Sequence, residues 1–487
     1  MFYQAFNKRV KQSPQKTAVI SNGNHYSYAE LDVAVRKFTE NLLKCQIKAG
    51  DAILIILPNS LEFVVAVLAT MAIRAIAVPV NTKFPADEIS YYLNSSGSVA
   101  VIHAGVSDAV GEVVRSSNII QMNMAELLCA TPHHSPASLF ATPAQADDAA
   151  IYMYSSGSTG KPKRVTRTHG QLMAEARAMA ATIDLSPEDN ILCTVPLYHA
   201  HGFGNCLMAA LLNGGTMVLV PGEFNSRETA KLLEQCKISI YPAVPFMFKM
   251  LAETFFKVKP ALPDLRLLIS AGAALQPEIY EAFAKVFNKQ IMQLYGSTET
   301  GAIAVNYQAA IGAEVSVGLP LHGFEVNILD EAGTPVSPGV IGEIAIRAPS
   351  MTRQYDGLPD ITAECFINNY FLSGDLGMKD ATGAIYIKGR KKLLINVAGN
   401  KVDPLDVEAV IGKHPKVKDV VVLGQPDAIY GEMVKAVVVS TEECSAEEIT
   451  AFCSRYLIDY KVPKVVTFRS EIPRSPLGKI LRKYLQE

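Results

Sequence analysis

The run Ser155-Ser156-Gly157-Ser158-Thr159-Gly160-Lys161-Pro162-Lys163 gathers hydroxyls, glycines and lysine into one turn. It follows the apolar run Ala149-Ala150-Ile151-Tyr152-Met153-Tyr154, which reads as a buried strand. Glycines let the backbone adopt positive φ and turn its N–H groups toward an anion. The hydroxyls add donors, and Lys163 adds a point charge for phosphate oxygens. A plain surface turn shares this composition. The strand exit, the repeated hydroxyls and the Pro-Lys ending favour phosphate binding. The common P-loop is excluded, because it needs four residues between its first Gly and a Gly-Lys-Ser/Thr. Here Pro162 follows Gly160-Lys161, and no Gly-x-Gly-x-x-Gly dinucleotide turn is present in the loop.

Further polar segments recur downstream. They are Ser270-Ala271-Gly272-Ala273-Ala274, Tyr295-Gly296-Ser297-Thr298-Glu299-Thr300-Gly301, Ser373-Gly374-Asp375-Leu376-Gly377, Gly389-Arg390, and Pro473-Arg474-Ser475-Pro476-Leu477-Gly478-Lys479-Ile480-Leu481-Arg482. In this order they resemble the adenylate-forming superfamily, the AMP-dependent synthetases and ligases. That group holds acyl- and aryl-CoA ligases, luciferases and peptide-synthetase adenylation domains. The likeness covers nearly the whole chain.

The resemblance implies an ATP/AMP site. Ser155, Ser156, Gly157, Ser158, Thr159, Gly160 and Lys163 would hold the phosphates, and Ala271, Gly272 and Ala273 would lie along the adenine and acyl group. Tyr295 would stack on adenine beside Gly296, and Thr298 would touch the α-phosphate. Glu299, with Thr159, would hold Mg2+, a hard anion for a hard cation. Asp375 would accept from the ribose hydroxyls, a task for an ionised carboxylate, and Arg390 would reach the ribose or phosphates. Lys479 would serve the first half-reaction. Two departures stand out: Arg164 where the family usually has Gly, and Tyr370 where it usually has Trp. The Gly-Ser-Thr-Glu turn, taken alone, equally suits a helix N-cap.

These roles describe an in-line displacement in which a carboxylate attacks the α-phosphorus of ATP, expels pyrophosphate and leaves an acyl-AMP. Two anions must meet, so magnesium, the 155–163 loop and Lys479 would supply electrostatic stabilisation. Thr298, Glu299 and Lys479 are therefore the candidate catalytic residues. A thiol then takes the acyl group. The expected acceptor is CoA; the alternative is the phosphopantetheine of an acyl carrier protein. A non-catalytic nucleotide-binding protein is the third reading.

The segment Leu197-Tyr198-His199-Ala200-His201-Gly202-Phe203-Gly204-Asn205 resembles the start of the family's acyl-pocket helix. His199 matches a gate position, while His201 and Asn205 fall where coumarate–CoA ligases line their pocket, with Gly272 and Gly296 alongside. No Asp or Glu occurs from 197 to 212, which disfavours a free α-amino acid. Polar uncharged residues there suit a hydroxylated or heteroatom-bearing aryl acid; a medium-chain acid stays open. So does His201 merely bonding a backbone carbonyl. The segment 394–404 resembles the loop used for thiol transfer, with Gly399 and Lys401 as candidates. Asn396 and Ala398 replace the lysines of coumarate–CoA ligases and luciferases, which disfavours oxidative luciferase chemistry. Lys392 falls at the family's hinge position and is the candidate pivot between half-reactions.

The elements that must position these residues form an α/β chain. Apolar runs at 52–57, 75–80, 100–103, 191–195, 216–220, 238–241, 265–270 and 290–294 read as strands. Helical periodicity at 61–73, 171–183, 227–236 and 277–287 separates them. This alternation predicts mostly parallel sheets covered by helices. The expected organisation is an N-terminal domain, 1–388, ending in a small β-rich subdomain at about 302–388. A hinge at 389–392 and a mobile α+β C-terminal domain, 393–487, follow. The last domain would use helices at 402–411 and 446–457 and strands at 417–423, 433–440 and 465–469. The stretch 131–148 reads as a loop.

At 487 residues the chain exceeds one core. With 49% hydrophobic and 19% charged residues it is globular rather than disordered. A net charge of −2 gives no footing for nucleic acid. Eight cysteines without a Cys-x-x-Cys pair read as reduced thiols. The N-terminus lacks an apolar signal core, and 52–80 is broken by Pro58, Asn59, Glu62 and Arg74, so no membrane span and a cytoplasmic location are expected. Oligomeric state is not encoded in any of these patterns.

Overall fold

The computed structural model describes the chain except residues 118, 125–141, 156–161, 308–315, 399, 428–430, 476, 477, 479, 486 and 487, and the side chains of Lys392, Lys401 and Lys483. The described chain divides into two compact units. Of the described residues, the first takes those from Met1 to Ser155, Pro162 to Val326 and Ile346 to Phe371, and the second those from Asn327 to Ala345 and Leu372 to Leu485.

The first unit carries two sheets. In the nine-stranded sheet Thr17–Ser21, Thr216–Leu219, Asn190–Cys193, Ile240–Ala243, Leu267–Ser270 and Ile291–Ser297 run parallel in that spatial order. Antiparallel strands close both ends: Asn24–Ser27 at one, Gly301–Val305 and Leu319–Pro320 at the other. The six-stranded sheet runs Ile120–Asn123, Ala100–His103, Ala52–Ile56, Ile76–Pro79, Ala149–Ser155 and Lys163–Thr168, parallel except for the last pair. The central strands are apolar at every position because both faces are covered. One face packs on Ile89, Tyr92, Leu93, Val110 and Val114 of helices Ala86–Ser96 and Asp108–Ser116.

Local chemistry sets the helix starts. Ser27 and Glu30 form a capping box on Tyr28–Lys44, and Thr168 and Gln171 form one on His169–Thr182. Helix Leu61–Ala72 is apolar all round and almost wholly buried. Its 12 residues sit in the core, and among the described residues no helix is long and apolar enough to cross a membrane.

In the second unit Asp375–Lys379 of strand Tyr370–Lys379 pairs antiparallel with Ile385–Arg390. The C-terminal sheet orders Asn400–Val402, Ile395–Val397, Gly431–Ser440 and Val417–Asp427, with Val465–Phe468 parallel on Gly431–Ser440. Alternation decides its two faces. Val434, Ala436 and Val438 pack with Val407, Ile411 and Ile449 of helices Pro404–Ile411 and Ala446–Cys453. Val437 and Val439 face the other way, onto Ile472, Ile480 and Leu485.

Element types match the expected α/β reading; boundaries move by a few residues. The helix expected from 402 begins at Pro404, because Val402 is spent in a strand and Asp403 caps Leu405 N–H at 2.9 Å. The helix expected to reach 457 stops at Cys453. The expected hinge 389–392 is the end of strand Ile385–Arg390 and the start of the 3-10 turn Lys391–Leu393. Helices Phe2–Gln12, Tyr28–Lys44, Ala86–Ser96, Asp108–Ser116 and Pro245–Glu253 were not anticipated. Of the expected loop 131–148, residues 131–141 lie outside the described residues.

Candidate active site

Ser155 ends one strand and pairs with Lys163, the first residue of its antiparallel neighbour. Lys163 is thus a strand residue, not a loop residue. Its Nζ sits 4.8 Å from the centre of the Tyr355 ring. Arg164 pairs with Asp356 at 3.3 Å, and its guanidinium lies 4.7 Å from the Tyr152 ring centre. Thr166 donates to the same Asp356 carboxylate.

The segment around Glu299 is a hairpin turn rather than a helix N-cap. Ile291–Ser297 returns as Gly301–Val305, with Ser297 opposite Gly301. Thr300 donates its N–H to Ser297 Oγ at 3.3 Å, and Ser350 Oγ donates to Thr300 O at 2.8 Å. Glu299 is 7% exposed, and its carbonyl accepts from Thr352 N–H at 2.8 Å. Tyr355 donates its hydroxyl to Glu299 Oε1 at 2.8 Å. Burial, with Glu299 beside it, pushes the Tyr355 phenol far above its ordinary range, so it keeps the proton that it donates to this carboxylate. Among the described residues, Glu299 Oε2 takes no hydrogen bond, and this carboxylate oxygen suits a hard cation such as Mg2+. Gly301 has φ +74, and a Cβ there would collide with the Glu175 carboxylate. Thr298 and Tyr295 are half-buried, and Gly296 is exposed.

The small-residue segment follows strand Leu267–Ser270. Ala271 is buried, Gly272 has φ +85, and Ala273 is exposed. Ala271 N–H donates to Ala243 O at 3.1 Å, and the same carbonyl lies 3.1 Å from His201 Nε2. With Nε2–H donating there, the neutral ring presents a bare Nδ1, which accepts from Asn205 Nδ2 at 2.8 Å. Burial holds the His201 imidazole down at about 4, consistent with the neutral form. Both ring nitrogens are therefore occupied. Asn205 Oδ1 is buried with no hydrogen-bond partner among the described residues. His199 precedes the short helix Ala200–Gly202, its ring 4.9 Å from that of Tyr198.

In the second unit Asp375 and Arg390 stand directly opposite on antiparallel strands, their side chains paired at 2.7 Å. Ser373 Oγ accepts from Asp375 N–H at 3.1 Å. Ser156, Gly157, Ser158, Thr159, Gly160, Gly399 and Lys479 lie outside the described residues, as do the side chains of Lys392 and Lys401. The flanks of Lys479 are described. Arg474 pairs with Asp419 at 2.7 Å and bridges to Ile480, and Arg482 pairs with Glu408 at 3.2 Å.

Sequence reasoning missed Tyr355, Asp356, Arg167 and Glu175. Only Arg167 carried a signal: it shares the buried face of its strand with Val165. A guanidinium on such a face demands a partner.

Residues 6–356 match the AMP-binding enzyme family, and residues 406–479 match the AMP-binding enzyme C-terminal domain. The chain belongs to the AMP-binding enzyme family. This AMP-binding enzyme is 30% identical over 490 residues to the long-chain-fatty-acid–CoA ligase FadD13 of Mycobacterium tuberculosis, covering 99% of this chain and 97% of that one. It is also 30% identical to the feruloyl-CoA synthase of an Amycolatopsis species, covering 98% and 96%. Its fold is similar to ATP-bound MatB from Rhodopseudomonas palustris, with a TM-score of 0.90 and 25% identity over 100% of this chain and 98% of that one. The Bacillus subtilis o-succinylbenzoate CoA synthetase in complex with its acyl-adenylate gives a TM-score of 0.87 and 26% identity over 99% and 98%. The AMP-binding enzyme is an ATP-dependent acid–CoA ligase working through an acyl-adenylate.

Proposed function

We propose that this acid–CoA ligase activates a hydroxylated or heteroatom-bearing aryl acid. The observation carrying this reading is Asn205 Oδ1, a buried acceptor lacking a donor among the described residues. A buried unpaired acceptor costs free energy that a substrate O–H or N–H would recover. His201 aims that amide instead of meeting the acid itself. The feruloyl-CoA synthase relative acts on an acid of this class by its name.

In the first half-reaction a carboxylate oxygen bonds to the α-phosphorus of ATP while the bond to pyrophosphate breaks. Lys163, with Ser155, Ser156, Gly157, Ser158, Thr159 and Gly160, holds the phosphates. Thr298 donates to the α-phosphate, Tyr295 stacks on adenine, and Asp375 with Arg390 holds the ribose. Lys479 offsets the charge that builds as the two anions meet. Glu299, with Thr159, would hold Mg2+, which when bound would neutralise phosphate charge. In the second half-reaction the CoA sulfur bonds to the acyl carbon and AMP leaves, with Gly399 and Lys401 near the thiol.

Acid-dependent pyrophosphate exchange over a panel of hydroxylated aryl, unsubstituted aryl and medium-chain acids tests this reading. The hydroxylated aryl acids are expected to give the highest kcat/KM. A clear preference for medium-chain acids overturns the substrate class. Lys479→Ala is expected to lose on the order of 10² to 10³ in exchange rate, and wild-type exchange would remove the lysine from its role.

A further inference from the structure

Tyr355 touches two residues whose roles are proposed above, yet no motif includes it. Its hydroxyl donates to Glu299 Oε1 at 2.8 Å, and its ring face lies 4.8 Å from Lys163 Nζ. The tyrosine is 4% exposed and held from behind. Its N–H donates to Thr362 Oγ1 at 3.0 Å, at the first turn of helix Pro359–Cys365, and its ring meets Phe366 edge-on at 5.6 Å. The next residue, Asp356, ties the same segment to strand Lys163–Thr168 through Arg164 and Thr166.

A carboxylate can rotate to offer either oxygen, and a half-buried lysine stem can swing its ammonium. A donor fixed on Oε1 removes the first freedom and leaves Oε2 for a cation. An aromatic face under the ammonium restrains the second, through attraction between the cation and the ring's negative face. Resting on the reading that Glu299 holds Mg2+ and Lys163 the phosphates, we propose that Tyr355 is a positioning residue for both. Its hydroxyl orients the magnesium carboxylate, and its ring holds the phosphate lysine.

The two functions separate in two variants. Tyr355→Phe keeps the ring and volume and removes only the donor. Tyr355→Leu removes both. ATP binding is measured by calorimetric titration of the full-length protein, with and without Mg2+, beside thermal melting. Mg2+ is expected to tighten ATP binding to wild type. In Tyr355→Phe that enhancement falls about tenfold or more, the range for a hydrogen bond to a charged group. Mg2+-free affinity and melting stay near wild type. In Tyr355→Leu the Mg2+-free affinity falls as well. In a Glu299→Gln background Tyr355→Phe adds no further loss.

A wild-type Mg2+ enhancement in Tyr355→Phe, or losses that simply add with Glu299→Gln, overturns the proposal while leaving the ligase reading intact. Absence of any Mg2+ effect on wild-type ATP binding removes the Glu299 reading itself, and this proposal with it.

Discussion

Arg167 donates from Nη2 to Glu175 Oε2 at 2.9 Å, with side chains only 1% and 4% exposed. The other carboxylate oxygen accepts Ala302 N–H at 3.0 Å, directly behind the turn that carries Glu299. A Cβ on Gly204 would come within 2.8 Å of that same oxygen. One ion pair therefore joins strand Lys163–Thr168, helix His169–Thr182 and the hairpin of Ile291–Ser297 with Gly301–Val305.

Removing one partner strands a buried charge, at a cost of about 3–5 kcal/mol. Glu175→Gln and Arg167→Met are each expected to lower the melting temperature sharply. The double change Arg167→Leu with Glu175→Leu restores much of the stability but leaves Ala302 N–H unpaired behind the turn. Its pyrophosphate exchange is expected to stay down about tenfold, the worth of roughly one buried hydrogen bond. Recovery of both stability and exchange would make the pair a packing device alone.

Asn205→Leu removes the orphaned acceptor and leaves a shape-compatible apolar side chain. The kcat/KM ratio of hydroxylated to unsubstituted aryl acids is expected to fall about tenfold, the net worth of one hydrogen bond. An unchanged ratio would place Asn205 Oδ1 away from the acid.

His169 is fully buried, and neither ring nitrogen has a hydrogen-bond partner among the described residues. Burial holds its pKa down at about 4, helped by the Met1 amino group and Arg74 and opposed by Asp148. The folded pKa lies below the unfolded value, so the unfolded chain binds the extra proton. This contribution to stability is whole above about pH 6.5 and is lost as pH falls toward about 4, on the order of 3 kcal/mol in all. His169→Leu is expected to flatten that acid limb in calorimetric melts of the full chain between pH 7 and pH 4.5. A limb of wild-type steepness assigns the loss to other groups.

Glu408 carries the opposite sign. Burial raises its pKa to about 7 despite Val422 N–H and Arg482. The folded state then binds a proton that the unfolded state has released, so stability falls as pH rises from about 4.5 through about 7. Glu408→Gln keeps an acceptor for Val422 N–H and is expected to remove that decline in denaturant melts at pH 5 and pH 7.5. A decline as large as wild type would show that Glu408 is ionised throughout.

Lys392→Pro tests the proposed pivot. Proline fixes φ near −65°, and a hinge residue must change its dihedrals. Pyrophosphate exchange should survive while thioester formation with CoA collapses. Equal loss of both, or of neither, removes Lys392 from the role.

Membership of the AMP-binding enzyme family was legible along the chain, because each of its motifs is a run of residue types within a few neighbouring positions. Strand and helix types were legible for the same local reason: the βαβα alternation is a pattern of apolar spacing. Tertiary structure alone decided which distant groups meet. Tyr355 reaches Glu299 across 56 positions and Ala302 reaches Glu175 across 127. No spacing encodes such contacts, since they follow from how sheets and helices pack. His201 shows the same division. Its place in the family pattern left two readings open, a pocket-lining residue and a bond to a backbone carbonyl; the fold sets Nε2 on the Ala243 carbonyl and Nδ1 on Asn205, and passes the free acceptor to that neighbour.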